Sequence, residues 1–159
     1  IGDHNAVLNE ETKLSNDFNE KIAEIKNLIE FGQYQDAHRK CVSNLSRGNN
    51  AITHLLAAIA YGLNKRKKLR KNDWDIIERH ISFAIMDTKI RPTALAVLGC
   101  LKHSPFEINK LPDTSKLNLD VIKRELAKES HFDSEILSMV KPISQELDSL
   151  GIKREAFDA

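Results

Sequence analysis

The stretch Ala51–Leu63 (AITHLLAAIAYGL) is apolar on nearly every face of the helix it would form. A helix with no polar face has to be enclosed by neighbours on both sides. At this length it cannot cross a bilayer, which takes roughly 20 apolar residues. Asn49 and Asn50 precede it, and a short polar side chain there can accept hydrogen bonds from the unpaired N–H groups of the first turn. One buried helix therefore demands several more packed around it.

The residues that follow supply them. Trp74, Ile77, Ile81, Ala84 and Ile85 recur at i, i+3, i+7, i+10 and i+11, one face of a helix. Asp73 stands where an N-cap is expected. Arg91-Pro92 opens a third segment, since proline is tolerated in the first helical turn. Its body, Ala94–Leu101, is again apolar around most of its surface. Two enclosed helices flanking an amphipathic one describe the middle of a stack.

The flanks read the same way. Phe18, Ile22, Ile25 and Ile29 form a stripe with Leu28 beside it, and Gly32 can end that helix in the left-handed conformation. Tyr34, Ala37, Cys41 and Leu45 form the next, with Gly48 as its stop. After His103 two prolines and a lost period predict a loop over 104–115, packed down by Phe106, Ile108 and Leu111. Leu119, Ile122 and Leu126 mark a sixth helix. A last one starts near Asp133 and carries Ile136, Leu137, Val140, Ile143, Leu147 and Leu150, with a kink at Pro142 and a stop at Gly151. Valine is scarce, and no run alternates at period two. The class is all-α, about seven helices whose short connections make neighbours antiparallel. Residues 1–13 read as a linker or frayed terminus, 14–151 as a single domain with C-terminal helices over 117–151, and 152–159 as a tail. The start at Ile1 without a methionine reads as a piece of something longer.

The helical pairs over 18–103 resemble tetratricopeptide repeats. Gly32, Tyr34 and Ala37 match that family's turn and second-helix start. His54, Ala57, Ala58 and Tyr61 fall at its Trp, Leu-Gly and Tyr positions, and Ile77, Ile81 and Ala84 keep the second-helix spacing. Leu95 and Leu98-Gly99 begin a third unit, with Lys102 in place of Tyr. The resemblance implies a right-handed α-solenoid whose first helices line a groove for a peptide or protein. It implies no catalysis. Another α-solenoid or a closed helical bundle would satisfy the same periodicities.

Charge is unevenly spread. Residues 1–37 hold three Lys/Arg against eight Asp/Glu, residues 38–110 fourteen against five, and residues 111–159 seven against ten. Such asymmetry bears on association rather than on fold. Its sharpest element is Lys65, Arg66, Lys67, Lys68, Arg70 and Lys71, six cations in seven residues. These are the candidate binding residues, able to pair with phosphates or carboxylates. Only Tyr61 and Trp74 stand near enough to stack on a base, so sequence-specific reading of nucleic acid is not expected.

Other chemistry is thin. Cys41 and Cys100 fall on apolar faces and read as reduced core thiols. His38-Cys41 and Cys100-His103 each place a histidine and a cysteine one turn apart, a spacing compatible with zinc, yet on helices that a stack would separate. His54 and His80 read as core or boundary histidines. There is no nucleophile with a supporting base and no glycine-rich phosphate loop. The expectation is a cytoplasmic, non-enzymatic protein-interaction module without a cofactor. The alternative is an anion-binding module that docks RNA, DNA or an acidic surface through 65–71.

Overall fold

The computed structural model describes residues 2–66, 68–129, 131–140 and 150–151, without the side chains of 2–15, 104, 107 and 108. The described residues form helices and no strand. In chain order these are α1 (Gly2–Glu30), α2 (Tyr34–Leu45), α3 (Ala51–Asn64), α4 (Lys71–Ala84) and α5 (Arg91–Lys102). A π-helical turn (His103–Ile108), α6 (Leu119–Leu126) and α7 (Ser134–Met139) follow.

Each helix from α1 to α5 packs on the next, and α1, α3 and α5 also touch in a row. Four neighbours thus surround α3. From Thr53 to Leu63 all its residues but Tyr61 are buried, which is why its sequence needs no polar face. The pairs His54–His80 and Tyr61–Asp73 run in opposite directions along α3 and α4, so these two helices are antiparallel. α5 is buried from Pro92 to Lys102. Gly62 sits where α3 meets α5, and a Cβ there would come within 2.9 Å of Leu101.

The ends of the helices follow local chemistry. Gly32 takes φ +76° after α1, a conformation that costs glycine no Cβ clash. Asn50 Oδ1 accepts from Ile52 N–H at 3.1 Å, Asn118 Oδ1 from Val121 N–H at 3.0 Å, and Asp133 Oδ1 from Ile136 N–H at 3.1 Å. α2 stops at Leu45, ahead of Gly48.

Three features differ from the sequence reading. α1 begins at Gly2 and takes in residues expected to be a linker. Ala6, Leu8, Glu10, Glu11 and Lys13 are adequate helix formers, and a helix that lacks an apolar stripe leaves no periodic signal. α4 begins at Lys71, so Asp73 is its third residue rather than its cap. The expected loop after His103 starts as a continuation of α5, one π-helical turn with Phe106 set against Trp74 at 5.1 Å between ring centres. The expected kink at Pro142 and the tail at 152–159 lie outside the described residues.

α7 closes the arrangement. It packs on α1 and on α5. Lys26 of α1 pairs with Glu135 at 3.2 Å, and Asp133 N–H donates to Thr93 Oγ1 of α5 at 2.9 Å.

Candidate functional site

The basic run forms the connection between α3 and α4. Lys65, Arg66, Lys68 and Arg70 belong to the turn, Lys71 is the first residue of α4, and Lys67 lies outside the described residues. Leu69 is partly buried against the core and anchors the turn. Lys68 N–H donates to Lys65 C=O at 2.7 Å and tightens it. Around this turn opens a recess of about 880 Å³, lined by Lys65, Arg66, Lys68 and Arg70 together with Tyr61, Asn64, Asn72 and Asp73. Four of the six candidate cations therefore share one concavity; Lys71 is exposed beside it.

The floor of the recess is a hydrogen-bonded carboxylate. Asp73 is only 6% exposed. Its Oδ1 accepts from Tyr61 Oη–H at 2.6 Å and from Lys65 Nζ at 3.1 Å, and its Oδ2 accepts from Arg70 N–H at 2.8 Å. The Tyr61 hydroxyl and the Arg70 N–H hold the acid down to about 2. Burial, then the hydrogen bond to Asp73, pushes the Tyr61 phenol up. The Asp73 carboxylate also raises the Lys65 ammonium, which lies 5.1 Å from the Tyr61 ring centre. Lys65 is thus partly committed within the protein, whereas Arg66, Lys68 and Arg70 point their charge at solvent from exposed positions.

This makes Asp73 a structural acid. Asp73→Ala is expected to cost about 1–3 kcal/mol, because the Tyr61 hydroxyl and Arg70 N–H lose their partner; chemical denaturation would show it. An acid whose folded value lies below its unfolded one stabilises the fold above the unfolded value, near 3.8. That contribution drains as pH falls from there toward 2, and Asp73→Asn removes it.

Before Asn64, α3 leaves Ala51, Ile52 and Tyr61 partly exposed, and α7 packs on α1 and α5, the helices on either side of it. Cys41 and Cys100 are both buried. Burial pushes Cys41 up to about 12, which keeps it protonated and unreactive. The four residues with zinc-compatible spacing are not brought together: among the described residues no group of three or more His, Cys, Asp or Glu is arranged to hold a metal ion.

Sequence reasoning missed two clusters. Lys102 is fully buried among acids from two other segments. His38, His54 and His80, from three helices, meet at ring distances of 5.2–6.2 Å. Neither has a spacing that one helix could reveal. Comparison with protein-family models, with curated proteins and with solved structures finds no match to this chain. Among the described residues no helix is long and apolar enough to cross a membrane.

Proposed function

We propose that this chain is a non-enzymatic interaction module that docks an acidic partner on the basic turn between α3 and α4. The observation that carries this is the convergence of Lys65, Arg66, Lys68 and Arg70 on one recess at a single inter-helix connection. Cations gathered at one turn suit a charged surface; they do not line a peptide groove. The packing of α1, α3 and α5 in a row, with α2 and α4 on α3, supports a tetratricopeptide-like right-handed array as the scaffold. In such a scaffold the buried helices hold the turn in place and the turn does the binding. The expected setting is cytoplasmic.

An acidic protein segment is the favoured partner. Tyr61 has its hydroxyl on Asp73 and its ring against Lys65 and His38, and Trp74 is buried, so neither ring is free to stack on a base. A second reading, docking of nucleic-acid phosphates, draws on the same density of exposed cations.

The test uses a fluorescent polyglutamate peptide and a duplex oligonucleotide of matched charge. Arg66, Lys68 and Lys71 are reversed to Glu together; Lys65 is spared because a glutamate there would face Asp73. Exposed substitutions of this kind shift stability by about 0.5 kcal/mol or less each, so melting should be nearly unchanged while peptide affinity falls at least tenfold. Binding should weaken steeply with salt, since exposed charges are screened over about 10 Å at 0.1 M. Tighter binding of the duplex, with log affinity falling near 0.9 per phosphate contacted, would select the second reading. Salt-insensitive binding that survives the reversal would remove the turn from the mechanism.

A further inference from the structure

Three histidines far apart in sequence meet where α2, α3 and α4 pack. His54 is 7% exposed. Its Nδ1 lies 2.9 Å from Nδ1 of His80. The His38 ring stands 6.2 Å from His80 and 5.2 Å from Tyr61, and Phe83 stacks on His54 at 4.6 Å.

The hydrogen-bond partners fix where the protons are. His54 Nε2 faces Asn49 Oδ1, which can only accept, so Nε2 carries a hydrogen. A neutral His54 then has a bare Nδ1, and His80 Nδ1–H donates to it. One hydrogen fits between the two rings. A second proton on His54 would have to go on Nδ1, where His80 could accept it only by moving its own hydrogen to Nε2; protonating both rings would set N–H against N–H. A second proton on His80 would place a full charge between two other imidazoles. His38 Nε2 is buried and has no hydrogen-bond partner among the described residues, so burial there disfavours a charge on that ring.

We propose that His38, His54 and His80 form a proton-operated joint that locks α2, α3 and α4 together when neutral and loosens them, with the seat of the basic recess, when acid forces a proton onto it. The link to the recess is Tyr61, whose ring meets His38 and whose hydroxyl holds Asp73.

The surrounding charges favour the neutral state. His80 is faced by His38 from α2 and His54 from α3, and Arg79 precedes it on α4; burial first, then these three, hold it down to about 4. Burial also lowers His38 and His54. Of the carboxylates on α1 and α4, Glu24 is paired with Lys40, Glu78 with Lys102, and Asp73 with Tyr61 and Lys65. In the unfolded chain each histidine takes its proton near 6.5. Between that value and about 4 the unfolded chain binds more protons than the folded one. Stability is therefore complete above about 6.5 and drains as the pH falls toward 4. This window lies above that of Asp73.

The effect on the recess rests on the docking reading; the effect on packing does not. The experiment follows the histidine ring signals of the whole chain by NMR from pH 8 to 4, with thermal melts of the wild type and His80→Gln at each pH. The expected result is a His80 midpoint near 4 and a wild-type melting temperature that falls between pH 6.5 and 4.5, more steeply than that of His80→Gln. Slopes are compared within each protein, so a variant less stable at neutral pH remains informative. If His80→Gln does not fold, the wild-type titration decides alone. His38, His54 and His80 all titrating near 6.5, or parallel melting curves, would overturn the joint. Polyglutamate binding, measured alongside, separates the two ideas: a chain that binds no peptide at any pH yet keeps the shifted midpoint and the slope loses the docking reading and keeps the joint.

Discussion

Lys102→Ala is expected to destabilise the protein by about 3–5 kcal/mol, the usual loss when one member of a buried ionic cluster is removed. Lys102 lies on α5 and has no exposed surface. Its Nζ donates to Asp113 Oδ1 at 3.1 Å, to Asp113 Oδ2 at 3.3 Å and to the Leu117 carbonyl at 2.7 Å. It also pairs with Glu78 of α4 at 2.5 Å and lies 5.3 Å from the Phe106 ring centre. One ammonium therefore ties α4, α5 and the segment leading to α6. Asp113 in turn accepts Leu119 N–H at 3.1 Å, at the start of α6. Without the lysine, two mostly buried carboxylates face each other with no counter-charge. Lys102→Met keeps the stem's packing and should still lose most of this stability. Adding Glu78→Gln and Asp113→Asn to it should recover part, because the stranded charges are gone. Urea denaturation of the four proteins checks this; a Lys102→Met variant as stable as the wild type would show the cluster to be energetically idle.

The second large effect is in the core. Leu98→Ala on α5 and Leu55→Ala on α3 should each cost about 2–5 kcal/mol, the lost transfer energy plus the cavity left behind. Both side chains are fully buried. The cost should fall toward the upper end if neighbouring helices cannot collapse into the space. On the α5 side Gly99 is already tight, since a Cβ there would come within 2.8 Å of Leu150 and 3.2 Å of Ile122. Unchanged melting curves would show that these helices are not the enclosed centre.

Both predictions measure how far the sequence could be read. Leu55 and Leu98 were legible because burial on every side leaves a run with no polar face, and that is a local pattern. Asn50 and Gly32 were legible because caps and left-handed turns are local chemistry. Lys102 was not, because pattern reasoning counts a lysine as exposed, and its partners Glu78 and Asp113 become neighbours only through tertiary packing. The histidine cluster was hidden for the same reason: His38, His54 and His80 belong to three helices. Asp73 was placed on the right helix end with the wrong task, since an acid is favoured both at the cap and two or three residues in. The basic run was plain in sequence. That Lys65 is partly committed to Asp73, and Arg66, Lys68 and Arg70 are not, depended on where the α3–α4 turn folds.

The bridge that α7 makes between α1 and α5 alters how the molecule comes apart. In an open stack each unit feels only its neighbours, and unfolding can start at either end and spread. Here Lys26 meets Glu135, about a hundred residues later in the chain, and Asp133 is tied to Thr93. The last described helix can dock only after α1 and α5 are both in place. Undocking it uncovers a surface on both helices at once. Amide exchange should therefore report one cooperative unit joining α1, α5 and α7, not a gradient from one terminus to the other.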